Sequence, residues 1–254
     1  MKVNIIVTGD SHYDLKTDGI DRTDDINDAK QQAIDYAVEL SKKEKVIMLD
    51  LGDVFHGTHP RAEVIANVIR MYKKLDDAGI DTIVIAGNHD VIDQRGRTSA
   101  LEPIAAAGFN RIYVEHDINN YEFFNINIIT LPHISKAKAA EEGFKSLQDY
   151  IDTKAAEIED ELNPDDYNIV ISHMNIEGAL TGTETFMIKG AHEEFPKVIK
   201  NSNKINVIFN GHIHRSQIVE NPNGAPIVIV GSIQVNDFSE RLDRKVFVHL
   251  QIEV

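Results

Sequence analysis

Cysteine is absent from all 254 residues. That excludes structural disulfides and thiolate metal sites, so any metal must be held by His, Asp, Glu or Asn. Such N/O ligands suit manganese, zinc or iron, with magnesium at the oxygen-rich end. No apolar run reaches the ~18 residues that would suggest a membrane span. The opening MKVNIIVTGD lacks the charged-then-apolar layout and cleavage site of a signal peptide. A cytoplasmic protein with no membrane attachment is the expectation. Basic residues are in deficit: 26 Lys and Arg against 41 Asp and Glu give a formal net charge of -15. This argues against a protein that coats nucleic acid non-specifically, which takes clustered Lys and Arg. It still admits an enzyme acting on nucleic acid, because bound cations and a local basic rim can set the field around a phosphate. Internal repeats, low-complexity segments and Pro/Gly/Ser-rich linkers are also missing. With 42% hydrophobic residues, a single domain over residues 1–254 is expected.

What is present is a series of short Val- and Ile-rich runs, each ending in a polar cluster. They are VNIIVTG before Asp10, VIMLDLG before Asp53, TIVIAG before Asn88, NIVIS before His173 and NVIFNG before His212. Near-continuous hydrophobicity of this kind marks strands buried on both faces of a sheet. Helical spacing of apolar residues predicts helices over 27–43, 62–78 and 135–162. Gly79 is placed to cap the second, and Asn163-Pro164 to stop the third. Further strands are predicted over 111–115, 121–125, 127–131, 217–220, 227–230 and 245–252. The alternation implies an α/β fold, with two facing mixed sheets flanked by helices as the expected architecture.

The polar clusters carry the chemistry. They are Gly9-Asp10-Ser11-His12, Gly52-Asp53-Val54-Phe55-His56, Gly87-Asn88-His89-Asp90, Ser172-His173 and Gly211-His212-Ile213-His214. Loops at the carboxyl ends of strands in an open α/β sheet converge on one crevice, so clusters far apart in sequence should meet. The glycines would let the backbone turn sharply off the strand. Each cluster alone is weak, since Asp-x-His or Gly-Asp after a strand is commonly a turn. The ordered set is much harder to obtain by accident. Its residue types suit two divalent cations about 3.5–4 Å apart that clamp a phosphodiester and activate a water. Asp53 has two oxygens and can bridge both cations. Imidazoles supply neutral nitrogens, and Asn88 supplies an oxygen without adding charge.

This order of motifs resembles the calcineurin-like metallophosphoesterase family, over nearly the whole chain. The resemblance implies Asp10, His12, Asp53 and His214 on one metal ion, and Asp53, Asn88, His173 and His212 on the other. It implies that His89 faces the scissile phosphate and protonates the leaving oxygen, with Asp90 orienting His89.

Two stretches are more specific. Gly52 to His56, followed by Pro60, is similar to the Gly-Asp-Leu-Phe-His…Pro stretch of the double-strand-break repair nucleases. These are the bacterial SbcD subunit and its archaeal and eukaryotic meiotic-recombination counterparts. GSIQVNDFSE at 231–240, then KVFV at 245–248, resembles the Gly-Ser-Ile-Glu…Phe-Gly-Glu…Lys-Gly-Phe ending of the same nuclease core. The glycine usual before the aromatic is missing ahead of Phe247. The resemblance implies a manganese-dependent DNA nuclease, a 3'-5' exonuclease and single-strand endonuclease of repair and recombination. His56 would match a second active-site histidine linked to exonuclease action. Arg95, Arg97 and Arg215 are candidate contacts to DNA phosphates. The full-length nucleases continue into a capping domain and an arm that binds an SbcC-like coiled-coil ATPase. Neither is evident here, so a nuclease core is expected. Its expected partner is DNA, with an SbcC-like ATPase or a second copy of the chain as candidate assemblies. His59, His116, His133, His192 and His249 carry no motif and are expected to be structural. The competing enzyme is a general phosphomonoesterase or cyclic-nucleotide phosphodiesterase of the same superfamily, which the net charge favours. A catalytically dead scaffold would be expected to have lost metal ligands, and the set is complete.

Overall fold

Alternation along the first strand sets the layers. Val3, Ile5 and Val7 join one apolar cluster, while Ile6 on the opposite face joins another. The same split occurs at Ile47 and Leu49 against Val46 and Met48. A period of two with apolar residues on both faces requires cover on both sides of the sheet.

The computed structural model describes residues 1–92, 99–181 and 193–254. The first half runs β1 (Lys2–Thr8), a small hairpin of β2 (Lys16–Thr17) and β3 (Ile20–Asp21), α1 (Thr23–Ser41), β4 (Lys45–Asp50), α2 (Ala62–Asp77), β5 (Asp81–Ile85), α3 (Glu102–Ala105) and β6 (Ile112–Glu115). The second half runs β7 (Asn119–Phe123), β8 (Ile126–Leu131), α4 (Lys136–Glu141), α5 (Leu147–Glu161), β9 (Tyr167–Ser172), α6 (Lys197–Lys200), β10 (Val207–Asn210), β11 (Gln217–Val219), β12 (Ile227–Ile229) and β13 (Val248–Glu253). Among the described residues, one sheet has the order β13-β1-β4-β5-β6 and the other β11-β12-β10-β9-β8-β7. Each is parallel in its middle and carries antiparallel strands at its edges, β13 on the first and β11 and β7 on the second. The architecture is the expected α/β sandwich of mixed sheets. Ile5, Leu49 and Ile83 of one sheet and Ile128, Ile171 and Phe209 of the other share the core between them. The helices α1 and α2 cover the outer face of the first sheet, and α5 and α6 that of the second. No helix among the described residues is long and apolar enough to cross a membrane.

The predicted helix over 135–162 is in fact two. Gly143, at φ 83, ends α4. Ser146 then caps α5 by accepting from the Asp149 amide. Leu147, Tyr150, Ile151 and Ala155 form the buried stripe that gave the segment its helical period. Beneath the first sheet, Lys30 of α1 donates to Asp50 (2.5 Å) and to Thr8 Oγ1 (2.7 Å), and Tyr72 of α2 donates to Asp50 at 2.7 Å. This buried network ties both helices to the ends of β1 and β4, just before Asp10 and Asp53. Desolvation of such a buried pair offsets much of its Coulombic gain, while removal of one partner would leave the other charge uncompensated.

Candidate metal centre

The loops that leave β1 and β4 run side by side and are laced through their backbones, and the loop after β5 is tied to them by the Asp53 and Asp90 side chains. Leu51 donates to Thr8 (2.8 Å), Asp10 to Gly52 (3.0 Å) and His12 to Asp53 (2.9 Å). Across to the second sheet, the His212 amide donates to Asp10 Oδ1 (2.9 Å) and the His133 amide to Ala86 (2.8 Å). The turns are tight enough to force left-handed backbone at Asp10 (φ 49), His12 (φ 50), Asp53 (φ 48) and His212 (φ 70). Non-glycine residues rarely adopt this region, and it costs about 1–3 kcal/mol each where it is imposed. The glycines of the Asn88 and His212 motifs serve close approach. A Cβ on Gly87 would lie 2.1 Å from Asp53 Oδ1, and one on Gly211 would lie 2.7 Å from the Leu51 carbonyl.

These loops bring all seven sequence-predicted ligands together in two groups. Asp10, His12 and His214 present donor atoms within 4.8 Å of one another, and so do Asp53, His173 and His212. Asp53 Oδ2 stands between the groups, 3.6 Å from His12 Nε2 and 3.3 Å from His173 Nε2. Asn88 Oδ1 joins the second group, 3.1 Å from His173 Nε2 and 2.8 Å from His212 Nδ1. Asp10 Oδ2 is buried with no hydrogen-bond partner. An oxygen that can only accept, left beside imidazoles, is what a cation would satisfy. The donor set therefore fits two divalent ions with Asp53 common to both.

Electrostatics point the same way. Burial raises the Asp10 carboxyl to about 6. Burial also lowers His12 well below its ordinary value and takes His212 down to about 3, so both stay neutral and suited to ligation. At His173 burial pulls down too, but Asp53, Asp10 and the Leu51 carbonyl outweigh it and raise the group to about 9. The geometry agrees, since His173 donates from Nδ1 to Leu51 at 2.7 Å while Nε2 faces Asp53. Without metal His173 is thus an imidazolium below about pH 9, and ligation through Nε2 must expel that proton. Manganese added to metal-free protein in weak buffer at pH 7.5 is therefore expected to release acid, with apparent affinity climbing as pH rises toward 9. Calorimetry in buffers of different ionisation enthalpy measures it. Release of no proton would show His173 already neutral.

His89 sits over the first group, its ring 4.8 Å from that of His12 and stacked on His56 at 5.4 Å and 23°. His89 donates from Nδ1 to the His56 carbonyl (2.8 Å), which leaves Nε2 as the nitrogen to meet a substrate oxygen. The orienting role expected of Asp90 therefore belongs to the His56 backbone. Asp90 is fully buried and accepts from the amides of Val54 (3.2 Å), Phe55 (3.0 Å) and Gly87 (3.0 Å). It braces the two loops instead of the His89 ring. Arg215 is half-buried next to His214 in the chain. Arg95, Arg97 and His192 lie outside the described residues.

Three residues in or behind the site had no role assigned from the sequence. Asn175 Oδ1 lies 3.1 Å from His212 Nε2. His133 lines a cavity of about 240 Å³ with Asn88, Met174, Asn175 and His212. Glu240 accepts from His214 Nδ1 at 2.7 Å. It stands inside the 231–240 stretch, but nothing in a run of ten residues says which one turns inward.

Comparison with known proteins identifies the family of the fold. Residues 3–216 match the calcineurin-like phosphoesterase family. A DNA double-strand break repair protein Mre11 from Sulfurisphaera tokodaii is 39% identical over 93 residues, covering 35% of this chain and 22% of the relative. Its counterpart in Saccharolobus solfataricus is 25% identical over 142 residues, covering 53% and 35%. The matches thus span about a third or less of those relatives' length. A solved dimetal phosphatase from Danio rerio superposes with a TM-score of 0.60 at 13% identity, covering 91% of this chain and 88% of that one. That likeness is one of fold.

Proposed function

The chain belongs to the calcineurin-like phosphoesterase family, and within it we propose a manganese-dependent DNA nuclease that hydrolyses phosphodiester bonds. The supporting observation is His56. It stands exposed at the mouth of the centre, stacked on His89, in the stretch that resembles the repair nucleases. The partial likeness to Mre11 proteins supports the same substrate.

When bound, two cations supply Lewis acidity to the phosphate and lower the pKa of a water. The protein's own part is positional. Asp53 holds the two groups at one spacing. His89 faces the phosphate and delivers a proton to the departing oxygen, while the His56 carbonyl keeps its other nitrogen as a donor. The His56 ring narrows the entrance beside it and meets the end of a strand. With a net charge of -15, grip on a duplex is weak and salt-sensitive. Flexible single strands bend into the crevice at low cost, so single-strand endonuclease activity exceeds duplex degradation.

The test is incubation with labelled single- and double-stranded DNA and manganese, without ATP, beside a phosphomonoester and a simple diester. Cleavage of single-stranded circles is expected. His56→Ser keeps the backbone carbonyl, so it is expected to depress exonuclease action more than nicking. Brisk phosphomonoester hydrolysis without DNA cleavage would overturn the proposal in favour of a phosphatase, the reading that the net charge favours.

A further inference from the structure

Behind His214 lies a carboxylate that is not needed as a ligand. Glu240 is 3% exposed, and glutamate is almost never buried without partners. Its oxygens are used differently. Oε1 accepts from His214 Nδ1 at 2.7 Å. Oε2 accepts from Lys245 Nζ (2.7 Å), the Asn236 amide (3.0 Å) and Ser232 Oγ (3.2 Å). Lys245 in turn donates to Ser232 Oγ (2.7 Å) and to the His214 carbonyl (3.2 Å). One oxygen is anchored three times so that the other can face a single imidazole.

We infer that Glu240 is the positioning residue for His214, and that the two halves of the centre are supported unequally. A carboxylate paired with Lys245 accepts only, so His214 carries its hydrogen on Nδ1. The lone pair of Nε2 is then turned toward Asp10 and His12, whose Nε2 lies 3.0 Å away. The negative charge also makes the imidazole a stronger donor to a cation. On the other side the equivalent partners are neutral: the Leu51 carbonyl for His173 and the Asn175 amide oxygen for His212. Only the Asp10/His12/His214 half has an anion behind a ligand among these contacts. The inference rests on the two-ion reading of the centre and is independent of the substrate.

Glu240→Gln keeps the size and removes the charge. Manganese titration of the metal-free protein by calorimetry is expected to show one binding event weakened about 10–100-fold and the other unchanged. Nitrogen NMR of protein labelled at histidine is expected to find His214 protonated at Nδ1 in the parent and mixed in the variant. If Glu240→Gln does not fold, Lys245→Met provides the second measurement. It leaves Glu240 in place but loosens it, and a smaller loss at the same event is expected. Equal weakening of both events, or an unchanged His214 tautomer with unchanged affinity, would overturn the inference. Failure to cut DNA with two intact binding events would instead count against the nuclease reading alone.

Discussion

Replacing Asp53 with asparagine is expected to remove metal from both halves of the centre and to abolish turnover. Oδ2 of this one residue is within 3.6 Å of a histidine nitrogen in each group. An amide oxygen carries no full charge, and the NH2 of an asparagine would present hydrogens where a cation must sit. The buried carboxylate is also held in its charged form. Burial alone would raise it, but His173, His12 and the His89 amide together keep it well below the usual carboxylate range. After dialysis with manganese, elemental analysis should find about two ions per chain in the parent, as a two-metal site requires. The Asp53→Asn protein should hold far less. Loss of several kcal/mol of charge stabilisation corresponds to a rate lower by on the order of a thousandfold or more. Full activity of Asp53→Asn would remove the bridging assignment.

His89→Gln should separate chemistry from metal loading. The His89 ring is held by a backbone carbonyl and by stacking on His56, and its role is to protonate the leaving oxygen. Removing a general acid costs about 10²–10⁴ in rate. Metal content should not change. The loss should shrink for a nitrophenyl ester, whose leaving group departs without a proton, and be fullest for DNA. Stripped metals would make His89 a ligand. Equal losses on good and poor leaving groups would show that it does something other than donate a proton.

How much of this was legible in the sequence depended on distance along the chain. The strands before Asp10, Asp53, Asn88, His173 and His212 were readable because sheets covered on both faces leave continuous apolar runs. Parallel strands then carry their loops to one end, and the seven candidate ligands come together there. The helix over 135–162 was overextended because its apolar stripe continues past Gly143, where the backbone turns left-handed. Asp90 misled for the opposite reason. It is adjacent to His89, but in a tight turn neighbouring side chains diverge, and the buried amides of Val54, Phe55 and Gly87 were the nearer donors. Glu240 reaches His214 across 26 residues. No period or motif encodes such a pairing; it exists only once β12 and the segment after it pack against the His214 loop.

The left-handed backbone at Asp10, His12, Asp53 and His212 has an evolutionary consequence. Each is a position where glycine would relax the chain and at the same time delete a candidate metal ligand. Selection for thermal robustness alone would therefore erode this crevice first, since inactive descendants could be the sturdier ones. Stability screens that do not also score activity would enrich for them.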